Sequence, residues 1–92
     1  MSFQKRISVT TTFIPIILPS NHRKSWLIQN SDNTNSARIS TDTLGTTYVE
    51  LKPWAIMTSE IPQGNPNKEV FARSASGTIT LETWEDYSKK GA

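Results

Sequence analysis

Few side chains in this 92-residue sequence could do chemistry. Glu82, Glu85 and Asp86 lie close together, and paired carboxylates can hydrolyse a glycosidic bond. Such carboxylates normally come from distant positions that line a cleft, so we interpret this group as the solvated end of a strand. The single histidine, His22, lies beside Arg23 in a predicted turn. It has no partner for a metal site or a nucleophile relay, so we predict a surface turn residue.

The polar segment 32–36 resembles the start of a calcium-binding loop. It departs from that pattern because neither the glycine nor the terminal glutamate follows, which leaves a weak ion site as the alternative to a plain loop. The sequence has no cysteine, so thiolate metal sites and disulfides are excluded. We therefore predict no catalytic residue, no cofactor and no metal, and a protein that is not an enzyme.

The charges are nearly balanced, with ten Lys or Arg against eight Asp or Glu. The basic residues form scattered pairs at 5–6, 23–24 and 89–90, whereas a nucleic-acid binder usually carries a basic stripe with interleaved aromatics. The longest apolar stretch, 13–18, contains Pro15 and is too short to span a bilayer. No signal peptide is evident at the N-terminus. We expect neither a nucleic-acid partner nor a membrane partner.

Period-two alternation indicates strands, and we find no helical periodicity. The predicted strands are 5–12, 13–18, 24–30, 37–41, 48–51, 53–60, 69–74 and 78–84. Turn-forming residues separate them roughly every 8–12 residues, a spacing typical of a sandwich or barrel. We predict one all-β domain over residues 1–92, a small antiparallel β-sandwich of Greek-key or jelly-roll-like type. Its ends, 1–4 and 87–92, are expected to be flexible.

Segment 13–18 is unusually apolar for one strand of a small sheet. Pro15 removes a ladder hydrogen bond, which predicts an edge strand or an extended arm. Alternate side chains point to opposite sides, so one sheet face cannot bury them all. We therefore expect one side to pack on another chain, in a homo-oligomer (trimer favoured) or as a docking arm. The interface candidates here are Phe13, Ile14, Ile16, Ile17 and Leu18, with Arg23 and Lys24 as charges at the rim.

Three tryptophans divide into two groups. Trp26 and Trp54 lie in strongly apolar runs, which predicts core positions. Trp84 falls on the opposite face of its strand from Ile79 and Leu81, and an outward tryptophan in a small sandwich usually marks a contact surface. We interpret Trp84 as an interface residue, with a core position through a bulge and a sugar-stacking position as alternatives.

A scattered set of residues carries a family resemblance. It comprises Asn21, Arg23 and the run Leu27-Ile28-Gln29-Asn30, then Arg38-Ile39, Leu51-x-Pro53, and the closing run Gly77-Thr-Ile-Thr-Leu-Glu-Thr-Trp84. This pattern resembles small β-sandwich virion structural proteins of tailed bacteriophages. Members of that family usually have glycine after the Leu-x-Pro position, where this chain has Trp54, so we expect a different loop there.

The resemblance implies a role in the virus particle and no active site. The leading hypothesis is a capsid decoration or cement protein that binds the assembled shell and stabilises it, found in the virion after synthesis in the host cytoplasm. Its partners would be the major capsid protein or other virion proteins. An adaptor or fibre-anchoring protein of the head or tail is the first alternative. A carbohydrate-binding module that uses Trp54, Trp84 and Tyr87 to bind a glycan is the alternative from another class.

Overall fold

The computed structural model describes residues 2–20, 23–41, 47–59 and 68–87. These residues form eight strands: β1 (Ser2–Val9), β2 (Ile14–Ile17), β3 (Arg23–Asn30), β4 (Ala37–Ser40), β5 (Val49–Leu51), β6 (Ile56–Thr58), β7 (Val70–Ser74) and β8 (Ile79–Tyr87). His22, the predicted loops at 42–46 and 61–67, and the tail after Tyr87 lie outside the described residues. Within the described part of the chain every regular element is a strand, as the alternation predicts.

Two four-stranded antiparallel sheets form a sandwich, which confirms the predicted fold class. Sheet A has the strand order β1-β8-β3-β6, and sheet B has the order β2-β7-β4-β5. Four of the pairings follow one scheme, in which β1 pairs with β8, β2 with β7, β3 with β6 and β4 with β5. A long hairpin that is rolled up gives this scheme, so the topology is that of an eight-stranded jelly roll.

The core lies between the inner faces of the two sheets, where alternate residues of each strand point. Strand β8 shows the alternation clearly, because Ile79, Leu81 and Thr83 are buried while Thr80 and Glu82 are only partly buried. The largest fully buried apolar side chains of the sandwich are Trp26, Ile16, Ile17, Ile28, Ile79, Leu81, Val9 and Val70. Burying a side chain of this kind contributes about 1.5–3 kcal/mol to folding, so this layer dominates the stability of the domain.

Strand β2 corrects the prediction made for segment 13–18. The strand is an edge strand, as Pro15 predicts, but its pairing with β7 shifts register between Pro15 and Ile17. This bulge breaks the strict alternation, so the consecutive residues Ile16 and Ile17 both point inward and are at most 2% exposed. Ile14 also packs against the core. Ile16 and Ile17 are therefore not available to a partner, whereas Ile14 is only partly buried and Leu18 is exposed. The homo-oligomer stays a prediction.

The ends of the strands differ from the predicted boundaries. Strand β1 already begins at Ser2, where it pairs with Asp86, and β8 continues to Tyr87. Residues 2–4 and Tyr87 thus lie in strands rather than in flexible ends. The predicted strand 53–60 is much shorter, since only Ile56–Thr58 pair with β3 and the residues before them form a turn.

Two buried polar groups hold the ends of the sandwich. Arg23 begins β3 and donates from Nε to Glu85 Oε1 at 3.0 Å, and its side chain is only 1% exposed. Asn30 ends β3, is fully buried, and donates from Nδ2 to the carbonyl oxygens of Asn35 and Leu51. Asn30 Oδ1 also accepts from the Asp32 N–H, as expected for an amide that closes the following loop. The Arg23–Glu85 and Asn30–Leu51 hydrogen bonds join segments that are 62 and 21 residues apart in sequence.

Candidate functional site

The outer face of sheet A carries an apolar groove of about 520 Å³. Its outward-facing apolar side chains are those of Leu27 on β3, Ile56 on β6 and Trp84 on β8, and the buried Trp26 also lines it. We call this surface the apolar groove. Strand pairing brings these side chains together. Leu27 is directly opposite Trp84 on β8 and Thr58 on β6, and Ile56 lies two residues before Thr58, on the same face of β6. Ile56 is 56% exposed. The groove therefore presents apolar surface to solvent next to a tryptophan.

Trp84 lies on the face that its register predicts, opposite to the buried residues Leu81 and Thr83. It is partly buried by its neighbours on the sheet, with Gln4 of β1 opposite it on the other side from Leu27. No bulge interrupts β8 at this position in its pairing with β1. The alternative of a core position through a bulge is thereby excluded, and Trp84 lines the groove.

Polar side chains border the groove. Gln29 and Asp86 both line it, and Lys24 lies 3.8 Å from the Asp86 carboxylate. Further along β8, Glu82 accepts hydrogen bonds from Ser31 and Gln4 and lies 3.6 Å from Arg6. The hydrogen bond from Ser31, more than the charge of Arg6, lowers the pKa of Glu82 below its ordinary value. This border is charged, so the surface has the apolar centre and polar rim that are typical of protein interfaces.

The acidic group that the sequence singles out is not an acid–base pair. Glu82 and Asp86 point outward, each towards its own cation, while Glu85 points inward to Arg23. Tyr87 donates to Glu85 Oε1 at 2.7 Å, and burial, with this hydrogen bond, raises the pKa of the Tyr87 phenol. The three carboxylates thus serve separate ion pairs, and they do not converge on a common substrate position.

Trp54 corrects the prediction of a core position, since it is 54% exposed. It lies in a turn from Lys52 to Ala55, closed by a hydrogen bond from Ala55 N to Lys52 O at 3.0 Å. Pro53 occupies the second position and Trp54 the third, where its φ of 65° is that of a type II turn. Glycine or asparagine normally fills that position because an L side chain is strained there. The indole Nε1 donates to Asn33 Oδ1 at 3.0 Å, which orients the ring on the surface.

The strain at Trp54 can be measured by comparing two substitutions at the same position. Trp54→Gly and Trp54→Ala both remove the indole, but only glycine adopts a positive φ without cost. We expect the glycine variant to have a free energy of unfolding about 1 kcal/mol higher than the alanine variant, although glycine elsewhere in a chain usually destabilises relative to alanine. Urea unfolding checks this order. Equal stability of the two variants would show that the turn carries no strain at Trp54.

The other interface candidates are distributed over different surfaces. Leu18 is 59% exposed at the end of β2, whereas Phe13 is half-buried on the outer face of sheet B. Arg23 is buried and cannot be a rim charge, while Lys24 is exposed beside the apolar groove. Of the predicted interface residues, Trp84 lines the apolar groove and Lys24 is paired with Asp86 at its border.

Sequence reasoning missed Leu27 and Ile56 as parts of the groove. The signal for Leu27 was present, because consecutive apolar residues in a strand must point to opposite faces and Ile28 takes the core side. Ile56 could not be assigned, since its orientation depends on where the preceding turn ends.

The described residues hold no group of three acidic or imidazole side chains able to bind a metal ion. In the same ranges, no helix is long and apolar enough to cross a membrane. Comparisons with protein-family models, curated proteins and solved structures find no match to this chain.

Proposed function

We propose that this chain is a virion structural protein of a tailed bacteriophage, a decoration or cement protein that binds the assembled capsid. The observation that carries the proposal is the apolar groove, an exposed tryptophan-lined surface bordered by charges on a small domain. Large aromatic side chains at the centre of such surfaces supply much of the affinity of protein interfaces. A domain that only binds needs no catalytic group.

The topology supports the same class of function. Eight-stranded jelly rolls recur in viral capsid proteins and in lectins, so both hypotheses for this chain use the fold that it has. Fold alone does not assign a function, which must be argued from the surface. A decoration protein stabilises by mass action, because a ligand of the assembled shell shifts the equilibrium away from disassembly. Many copies, each contributing a few kcal/mol, achieve this effect.

The test is rebinding of the purified protein to stripped particles of the phage that encodes it, followed by co-sedimentation. We expect Trp84→Ala to weaken binding by about 2 kcal/mol, or about 30-fold in Kd, as loss of a central aromatic residue does. Thr80→Ala is the matched control, because Thr80 lies on the same strand and face but outside the groove. The control should bind like the unmodified protein.

The carbohydrate-binding hypothesis predicts a different result from the same groove. Trp84 with Gln29 and Asp86 beside it combines an aromatic ring with hydrogen-bonding groups, the composition of a sugar site. Binding to a polysaccharide that Trp84→Ala abolishes, together with no binding to particles, would replace the virion proposal. Equal particle binding by the Trp84→Ala and Thr80→Ala variants would remove the groove from the interface.

A further inference from the structure

The outer face of sheet B carries two arginines side by side. Arg38 of β4 and Arg73 of β7 are directly opposite each other in the antiparallel pairing. Both point away from the core, since their neighbours Ile39 and Ala72 are buried. Directly opposed residues have Cβ atoms about 4.5–5.5 Å apart, and like charges in this position destabilise a sheet. We call these two residues the arginine pair. Because both side chains are positively charged, a bound anion would stabilise this arrangement.

Each guanidinium is held by an aromatic ring on its outer side. The Arg38 guanidinium carbon lies 4.9 Å from the centroid of Tyr48, next to β5, and that of Arg73 lies 5.4 Å from the centroid of Phe13, next to β2. Because the strand order is β2-β7-β4-β5, the two side chains lean away from each other. Contact with the face of a ring leaves the N–H groups at the edge of a guanidinium able to donate hydrogen bonds.

The hydrogen-bonding capacity of Arg38 is not used by the described residues. Its Nε is buried without a hydrogen-bond partner, and none of the ion pairs formed in the described ranges includes it. Glu50 is directly opposite Arg38 on β5 but forms no ion pair with it there. Arg73, by contrast, donates to the carbonyl oxygens of Thr11 and Ser74 and so has a fixed position. Because this Nε is shielded from solvent, a carboxylate of a partner would bind Arg38 through its terminal Nη groups, which no hydrogen bond or ion pair of the described residues uses.

We infer that the arginine pair is a binding site for carboxylates of an acidic protein segment. A carboxylate accepts two parallel hydrogen bonds from one guanidinium, and a segment with two acidic residues satisfies both arginines. A polynucleotide fits this face less well. The rings of Phe13 and Tyr48 lie against the arginines and so are less available to stack on bases. The site is independent of the apolar groove, which lies on the other sheet.

The experiment is a titration of the isotope-labelled protein with hexaglutamate, followed by NMR of the arginine Nε–Hε signals. We expect saturable shifts of the Arg38 and Arg73 signals. Arg38→Lys keeps the charge but removes the planar fork, and it should weaken hexaglutamate binding about tenfold, the loss of one charge-assisted hydrogen bond. Arg6→Lys is the control, because Arg6 lies on the outer face of sheet A and is exposed. It should leave the affinity unchanged.

Three outcomes would overturn the inference. Hexaglutamate that shifts neither arginine signal shows that the pair binds no carboxylate. An affinity of Arg38→Lys equal to that of the unmodified protein shows that charge alone attracts the peptide. Tighter binding of a thymidine decanucleotide than of hexaglutamate assigns the face to nucleic acid. The backbone amide spectrum of each variant reports whether it is folded, so a loss of binding through unfolding is recognised separately.

Discussion

Replacing Arg23 by methionine is expected to lower the free energy of unfolding by about 3–5 kcal/mol, the cost of leaving one partner of a buried ion pair alone. Arg23 is 1% exposed in its side chain, and Glu85, its partner at 3.0 Å, is 10% exposed. Arg23 also donates to the carbonyl oxygens of Leu18 and Lys68, so it ties β3 to segments before β3 and β7. Urea unfolding at neutral pH measures the loss.

A matched control separates burial from charge. Arg6→Met removes an arginine from the ion pair with Glu82, but the Arg6 side chain is 73% exposed. Surface pairs of this kind contribute about 0–1 kcal/mol, so the control should change stability little. The double variant Arg23→Met/Glu85→Leu should be more stable than Arg23→Met, since it removes the unpaired carboxylate. A loss at Arg23 no larger than at Arg6 would mean that the buried pair does not stabilise this end of the sandwich.

The sequence predicts the class of fold because period-two alternation is a direct consequence of strand geometry. The edge position of β2 follows from Pro15, whereas the pairing of the strands into two sheets does not follow from the turn residues, since the consecutive strands β7 and β8 lie in different sheets. Two local features could not be predicted from alternation. The bulge at 15–17 turns two consecutive isoleucines inward, and the turn at 52–55 takes Trp54 out of the core. Each depends on one residue that departs from regular strand geometry, and hydrophobic patterns do not report such a departure.

The candidate surfaces were predictable only where register alone decides. Trp84 faces outward because β8 is regular, and counting residues from Leu81 gives its side. The apolar groove also needs Leu27 and Ile56, which come from two other strands. Likewise the arginine pair arises only because Arg38 and Arg73 share a register between β4 and β7. Contacts between strands depend on the topology, and the spacing of residues within one strand does not specify it.

The loop after β3 depends on one amide, that of Asn30. This side chain is fully buried and makes three hydrogen bonds, to the carbonyl oxygens of Asn35 and Leu51 and to the Asp32 N–H. The loop carries Asn33, whose side chain accepts a hydrogen bond from the Trp54 indole.

In the same loop, hydrogen bonds from the N–H groups of Asn35 and Thr34 lower the pKa of Asp32. The contribution of Asp32 to stability is therefore present above its unfolded pKa and is lost as the pH falls through its folded pKa.

Asn30→Leu is expected to lower the free energy of unfolding by about 3 kcal/mol, since each of the three lost hydrogen bonds contributes about 1 kcal/mol. Leucine has a similar volume, so the loss reports unsatisfied backbone groups rather than a cavity. Gln29→Leu is the control, because the neighbouring amide points outward and makes a 3.3 Å hydrogen bond to Trp54 O. That variant should lose about 1 kcal/mol at most. Thermal unfolding measures the stability of the two variants. In Asn30→Leu the indole N–H resonance of Trp54 should also shift, because the loop that carries Asn33, the acceptor of this N–H, loses its anchor. An unchanged indole resonance with unchanged stability would show that the loop holds its conformation without Asn30.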